Sequence, residues 1–512
     1  MHLIAPKERY LKFFFAAFVF VGVVAAADAG QWTHLAGDSA RSGRAERGPI
    51  HLNQIAWTAT LGSNEEMVGS SCPVIADGIV YISAREYDDS VQVANLLIAF
   101  DLANGSRKWT ATVEADVLDS FSSPAIDARS KQVFVAAGFS LYAFDARTGA
   151  ARFQTSLDGP VVNCSPVVTS DLDAGGVPTN RVFVVDFNNS NAGKLYAINI
   201  DPLDAGQNNY QPGERVWTQS IGSATNATPA YLGGRVYVAG ANAVVRCLNA
   251  ASGATIWGRN VASSGYPQFG GFYGGVSVQG GFVYAATYNF SGGQNNSGLF
   301  KLDAGSGAIQ WASTCERTSS IPIVAGNGRI YLSGGLDGFG AAVKLQCFQD
   351  NGTSASLIWD TYAGTGGVLR VGGWTNQPVL AGGRLLVGVP PVGQSFSGFQ
   401  ALMMIDPNLP PSDVGFVIEQ VAGSGGPAAV AGRTLVSIGS AGLRAFTASP
   451  SCVGDLNNDG VVALDDLARL LASYGGMSSG PSFDDEADLN NDGAVDLGDL
   501  AALLAVYGQE CE

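Results

Sequence analysis

From about residue 70 to residue 446 apolar and polar positions alternate with a period of two, in short runs broken by glycine, and the runs recur in one order. The first run of a set carries proline and small residues: CPVIADG at 72–78, SPAID at 123–127, SPVVTSD at 165–171, TPAYLGG at 228–234 and QPVLAGG at 377–383. After a turn comes an aliphatic or aromatic run: IVYIS from 79, VFVAA from 133, VFVVD from 182, RVYVA from 235, FVYAA from 282, RIYLS from 329, RLLVG from 384 and RTLVS from 433, eight copies in all. A third run ends in an acid or amide and a fourth carries an aromatic, as in Asp101, Gly105, Trp109; Asp145, Gly149, Phe153; Asn249, Gly253, Trp257; and Asp303, Gly307, Trp311. Asp or Asn bonds its own turn backbone, glycine supplies the positive φ, and alternation then aims the aromatic inward against the next sheet.

A four-stranded unit repeated eight times predicts a mainly β chain folded as an eight-bladed β-propeller over residues 31–449, at about 52 residues per blade. The excess over the usual blade length falls in insertions at 201–213, 289–297, 349–356 and 406–415. The eighth copy stops after LRAFTASP at 443–450 without a fourth strand, and IAWTATL at 55–61 is available to supply it. Ring closure by the N-terminal strand removes the open edges that invite aggregation.

Beyond residue 452 the period changes to that of a helix. Leu467, Leu470, Leu471 and Tyr474, then Leu500, Leu503, Leu504 and Tyr507, each fall at i, i+3, i+4, i+7, and the two stripes are expected to pack on each other. Each follows an acidic, glycine-centred loop, DLNNDGVVALDD at 455–466 and DLNNDGAVDLGD at 488–499. Oxygen donors at positions 1, 3, 5 and 12, a carbonyl at 7 and glycine at 6 make the calcium-loop pattern. The expected ligands are Asp455, Asn457, Asp459, the Val461 carbonyl and Asp466 in the first loop, and Asp488, Asn490, Asp492, the Ala494 carbonyl, Asp496 and Asp499 in the second. Ala463 stands where Asp496 stands, so the first site leans on an extra water. Two bound Ca2+ ions are therefore expected, in a small α-helical duplicated calcium-loop domain over 452–512.

Charge sharpens this division. The chain carries −16, and residues 452–512 hold thirteen Asp and Glu against one Arg, a net −12. The acidity belongs to a metal site and not to a general surface. Nothing is basic enough to track phosphates, which argues against nucleic-acid binding. The three histidines, His2, His34 and His51, leave no material for a histidine zinc site or a serine-histidine triad in the interior.

At the N-terminus Lys7, Arg9 and Lys12 precede an apolar run from Phe13 to Val24 and then Ala25, Ala26 and Ala27, the order of a secretory signal over 1–27. The fifteen residues from Phe13 to Ala27 fall short of the roughly 20 that span a bilayer. Export without a membrane span is expected, to an extracellular or cell-surface location. Cys452 and Cys511 bracket the C-terminal domain; with antiparallel helices their ends meet, and a bridge closing about 59 residues is worth roughly 4 kcal/mol. Cys72, Cys164, Cys247, Cys315 and Cys347 read as small buried hydrophobes.

LIAFDLANGSRKW at 97–109 and LYAFDARTGAARF at 141–153 resemble the pyrroloquinoline-quinone-type repeat found in quinoprotein dehydrogenases and in the propeller lipoprotein of outer-membrane assembly. The matching residues belong to turns and packing, so the resemblance implies fold and says little about activity. The dehydrogenases hold quinone and calcium on the axis with acidic and amide side chains and adjacent cysteines; this chain has no adjacent cysteines, and no quinone is expected. The C-terminal loops and helices resemble a type I dockerin, which implies calcium-dependent folding. Its recognition positions here are Leu464, Asp465, Leu497 and Gly498, with Leu471, Ala472, Leu504 and Ala505 on the helices, a departure from the family's Ser/Thr and basic pattern.

The expectation is thus a secreted, non-enzymatic propeller for binding or display, attached through its C-terminal domain to a cohesin-like or other extracellular protein, with a glycan as a further partner. No catalytic residue is expected. The rival reading is an enzyme, either a polysaccharide hydrolase or lyase delivered by its dockerin or a quinone-dependent dehydrogenase. Glu65, Glu66, Asp116 and Asp119 are its carboxylate candidates; loop carboxylates are more often solvated caps. The Gly/aromatic stretches at 265–275 and 372–376 stack on sugar rings, grip a partner or fill the axis of the ring.

Overall fold

The computed structural model describes residues 31–49, 51–188, 192–223, 226–263, 270–291, 293–337, 341–391, 398–447, 453–456, 461–477, 483–484, 486–490 and 492–509. The signal segment and Cys452 and Cys511 lie outside these residues.

Among the described residues eight sheets of four or five strands follow one another in chain order as blades, with the four strands of each blade antiparallel. Blade one runs Val74–Ala76, Ile79–Asp88, Val91–Asp101 and Arg107–Val113, with Glu65–Met67 added beside its second strand. Ile55–Ala59 pairs with Gly442–Phe446, Ile55 against Phe446 and Ala59 against Leu443, so the N-terminal strand completes blade eight as expected. The segment 349–356, expected as an insertion, is instead a tight hairpin connection: Gln349 faces Ser356 where Ala341–Asp350 pairs with Ala355–Asp360, and Asn351 N–H donates to the Ser354 carbonyl at 2.9 Å.

The Asp-Gly-Trp spacing has a purpose larger than a turn. Asp101 Oδ1 accepts the Ala103 N–H at 3.0 Å and Gly105 takes φ +72°, as expected. In most blades the aromatic of the fourth strand then lies on the glycine turn of the following blade: a Cβ on Gly105 would stand 2.5 Å from the Trp57 ring, on Gly149 2.7 Å from Trp109, on Gly253 2.6 Å from Trp217, and on Gly307 2.5 Å from Trp257. The indole N–H completes each contact, Trp57 to the Leu102 carbonyl at 2.8 Å and Trp109, Trp217 and Trp257 to the carbonyls of Ala146, Ala250 and Ala304 at 3.0 Å. Blade three joins the same scheme through Gly213 beneath Phe153, with the 201–213 insertion placed between its Asn199 and that glycine.

A second set of links runs closer to the axis. Cys72 N–H donates to Ser123 Oγ at 2.8 Å, Ser123 N–H to Ser165 Oγ at 2.9 Å, and Ser165 N–H to Thr228 Oγ1 at 3.0 Å. All four precede proline, which holds its predecessor extended and so aims the side chain at the neighbouring blade. Cys72, Cys164, Cys247, Cys315 and Cys347 are buried free thiols, as expected.

Residues 32–45 follow a path that the alternating pattern does not foretell. They travel around the inner strands and bond to one blade after another: Trp32 with Ile75, Thr33 with Ile126, Ser39 with Tyr231, Ala40 with Val278 and Gly43 with Leu380. Arg44–Ala45 then pairs parallel with Val379–Ala381 of blade seven. Arg41 is fully buried and donates to the carbonyls of Leu35, Ser165, Pro166 and Pro229, which replaces its lost water. His34 Nε2 accepts the Val168 N–H at 3.0 Å, and burial, with Arg41 beside it, holds its pKa well below the usual 6.5.

Two outcomes are expected. Gly149→Ala meets both the positive φ and the Trp109 ring and lowers stability by about 2–4 kcal/mol, whereas Gly78→Ala, at φ +72° with open space, costs about 1 kcal/mol; urea midpoints compare them. His34 binds a proton when unfolded but not when folded, so its contribution is full above pH 6.5 and is lost as pH falls below that value, at up to about 1.4 kcal/mol per pH unit. Urea titrations at pH 7.5 and 5.5 read that slope, and His34→Gln flattens it.

Candidate functional site

The C-terminal residues gather a core of their own. Leu456, Val462, Leu470, Ala487, Val495 and Leu503 are buried together, with Leu467, Leu489 and Leu500 packed against them. The helices are Leu464–Ser473 and Leu497–Ala505. Their stripes divide, contrary to the expectation of two fully paired faces. Leu470 and Leu503 point inward, while Leu471, Tyr474, Leu504 and Tyr507 are exposed, because helices of ten and nine residues cross over a short contact.

The 33-residue offset in sequence is also an offset in space. Val462 N–H donates to the Gln509 carbonyl at 2.9 Å and its own carbonyl accepts from Gly508 at 2.7 Å. Val495 N–H donates to the Gly476 carbonyl at 2.9 Å and its carbonyl accepts from Gly475 at 2.8 Å. Each loop is thus tied to the residues that follow the other loop's helix.

Every expected ligand of the second loop is described. Asp488 accepts from the N–H groups of Asp492 at 3.1 Å and Gly493 at 2.8 Å, Asn490 Oδ1 from Asp492 at 2.8 Å, and Asp492 Oδ1 from Ala494 at 3.0 Å. Asp499, fully buried, accepts from Asn490 N–H at 3.1 Å and Asp496 N–H at 2.8 Å, while Asp496 Oδ1 caps the helix at Gly498. In the first loop Asp455 and Asp466 are buried, Asp466 accepts from Leu456 and Ala463, and Val461 is partly exposed. Asn457 and Asp459 lie outside the described residues. Among the described residues no group of three or more His, Cys, Asp or Glu is drawn together as a metal cage. The donors present are all oxygens on one tight turn, the type that suits a hard divalent cation.

An ion-pair cluster seats this unit on the ring. Arg47 reaches Asp484 at 3.0 Å and Glu486 at 2.5 Å, Arg433 reaches Glu486 at 3.4 Å, and Arg469 of the first helix reaches Asp484 at 2.9 Å. Arg433 also donates to the Asp455 carbonyl at 3.1 Å, at the first residue of the first loop. These contacts join residues from 15 positions apart, Arg469 and Asp484, to 437 and more, Arg47 with Asp484 and Glu486, and left no local signal in the sequence.

Aromatics from separate blades meet at the other end of the ring. Phe121 of blade two and Trp374 of blade seven, not neighbours in the ring, meet edge to face at 6.1 Å, and Trp374 meets Tyr288 of blade five at 5.7 Å. Of the carboxylates singled out from the sequence, Glu65, Glu66 and Asp119 line one cavity of about 410 Å³ beside Phe121. Arg107 holds Glu65 with two nitrogens at 2.7 and 3.2 Å and keeps its carboxyl below the usual range, and Arg85 holds Asp119 at 2.5 Å. Asp116, outside that lining, has its side chain largely covered, and its pKa is raised by desolvation against the pull of Asn95 and Arg85. A carboxylate held by arginine, as Glu65 is, is a poor proton donor.

Among the described residues no helix is long and apolar enough to cross a membrane. Curated proteins yield no match to the chain. Among solved structures it is similar in fold to BamB from Moraxella catarrhalis, at 16% identity over 77% of this chain and 97% of that one, with a TM-score of 0.52. It is similar to a europium-containing methanol dehydrogenase at 14% identity, over 80% and 88% of the chains, with a TM-score of 0.55. A quinohemoprotein alcohol dehydrogenase from Comamonas testosteroni matches at 13% identity, over 81% and 77%, with a TM-score of 0.54. The model of the family described as outer membrane protein assembly factor BamB matches residues 50–205, 173–257 and 208–389, more than half of the chain, and the blades counted above are that repeat. The chain therefore belongs to this family of pyrroloquinoline-quinone-type repeat propellers.

Proposed function

We propose that the protein is an exported, non-enzymatic propeller that serves as a rigid platform, attached to an extracellular or cell-surface partner through a calcium-stabilised, dockerin-like C-terminal module. The observation that carries this reading is the matched pair of backbone exchanges at Val462 and Val495, which gives the duplicated loops a two-fold arrangement. Asp488, Asn490, Asp492, Asp496 and Asp499, with the Ala494 carbonyl, would hold one Ca2+, and Asp455, Asn457, Asp459 and Asp466, with the Val461 carbonyl, the other. Calcium supplies the positive charge that lets these carboxylates stay close.

The same symmetry supports an attachment role. Leu464 and Leu497, at 66% and 68% exposure, are equivalent across the 33-residue offset, as are Leu471 and Leu504, and Tyr474 and Tyr507. Paired apolar residues held outward on a small module suit a protein partner, whether cohesin-like or of another kind. The pairing of Glu65 and Asp119 with arginines weighs against the hydrolase reading, and the Phe121–Trp374 contact over the channel weighs against a quinone stacked at that mouth.

Calorimetric titration of calcium into the chelator-treated mature protein is expected to give two ions per chain, and Asp455→Ala with Asp488→Ala to remove both. Leu471→Ser with Leu504→Ser should keep the two ions while ending calcium-dependent capture of a partner from the extracellular fraction. Absence of any calcium heat would sink the reading.

A further inference from the structure

A cleft of about 390 Å³ opens between blades four and five on the end of the ring remote from the C-terminal module. Its aromatic wall is Tyr273, Tyr288 and Phe290, and Asn242 and Asn289 flank it. Phe290 lies 4.7 Å from Tyr288 and meets Tyr273 edge to face at 5.1 Å, yet it is 68% exposed. An aromatic held by two neighbours and still offered to water has its conformational entropy already spent. The wall continues through Tyr288 to Trp374 at the mouth of the channel.

The segment that presents Phe290 is pinned from below by a buried charge network. Glu316 and Lys344, at 0% and 1% exposure, pair at 3.2 Å, and Lys344 lies 3.7 Å from Asp360. Four hydrogen bonds from this network go to residues 293–295 of the insertion 289–297. Glu316 Oε2 accepts the Asn295 N–H at 3.0 Å, Arg317 donates to the Gly293 carbonyl at 3.3 Å, Lys344 to Gln294 Oε1 at 3.4 Å, and Gln346 to Asn295 Oδ1 at 3.0 Å. Burying these charges costs desolvation free energy. The network ties the blades, through Glu316 N–H to Gln346 Oε1 at 2.8 Å and the Asp360 cap at Ala363, and it also holds residues 293–295 of the insertion.

The chemistry of the wall selects its ligand. Among the described residues no carboxylate, lysine, arginine or histidine lines the cleft, although the chain carries −16 overall, so neither a cation nor an anion is matched there. Aromatic faces with amides beside them suit a ring that is apolar on its faces and hydroxylated at its edge. We propose that this cleft is a binding subsite for a neutral saccharide, stacked on the exposed face of Phe290, with Tyr273 beside it at a right angle and the Asn242 and Asn289 side chains at its edge. The cleft shares no residue with the calcium loops, and the proposal stands or falls apart from them.

The test is native-gel affinity electrophoresis of the full mature chain in gels containing, one at a time, glucomannan, xylan, mixed-linkage β-glucan or starch, with polygalacturonate as the acidic control. At least one neutral polymer is expected to retard the protein, and to do so equally in about 0.5 M salt, where ionic adsorption is screened. Phe290→Ala should weaken that retardation roughly tenfold or more with an unchanged melting temperature, and Phe290→Trp should restore it, because stacking and not folding is at stake. Retardation by none of the neutral polymers, by polygalacturonate alone, or equally in Phe290→Ala overturns the proposal.

Discussion

The ring depends on one contact, a tryptophan or phenylalanine of one blade lying on the glycine turn of the next. Neither half works alone. The turn needs glycine for its positive φ, and the ring needs glycine because a Cβ would stand within about 3 Å of its carbons. The indole N–H finds a carbonyl at the far side of the same turn, so burying a large aromatic leaves no polar atom stranded at Trp57, Trp109, Trp217 or Trp257. Where the turn chemistry changes, the contact adapts: Trp311 donates to the Asp350 side chain at 3.0 Å, and Trp359 packs edge to face on Phe416.

With the outside of the ring held in this way, its two ends are free to differ. The N-terminal segment circles one end and fills it with Trp32 and Arg41, both fully buried. Phe121 and Trp374 cover the other. The ionic seat of the C-terminal unit lies with Arg47 and Arg433, next to the circling segment, and leaves the aromatic end uncovered. Among the described residues each end of the ring carries side chains that reach across blades, which directs attention to the clefts between blades.

The C-terminal unit shows how far a pattern can be read. The apolar spacing foretold the helices Leu464–Ser473 and Leu497–Ala505, yet it assigned Leu471 and Tyr474 to the same buried face as Leu470. Periodicity reports which residues share a side of a helix. It does not report how wide the partner surface is, and here that surface covers Leu470 and Leu503 but stops short of the next turn. The acidic loops were legible because their donors sit within twelve residues, whereas Arg433 at the Asp455 carbonyl was not.

By itself the sequence determined what is local: the eight repeated strand sets, the Asp and Gly turn chemistry, the missing fourth strand of blade eight and the oxygen-donor loops. These are settled by hydrogen bonds and φ values within about ten residues, so residue types and spacing carry them. Only the tertiary structure decided which glycine each tryptophan covers, the path of residues 32–45 around the axis, the meeting of Phe121 with Trp374 and the network under Phe290. Those contacts join residues from about 20 to more than 300 positions apart, and the choice of partner is made by packing and desolvation in the closed ring, which no short stretch of chain encodes.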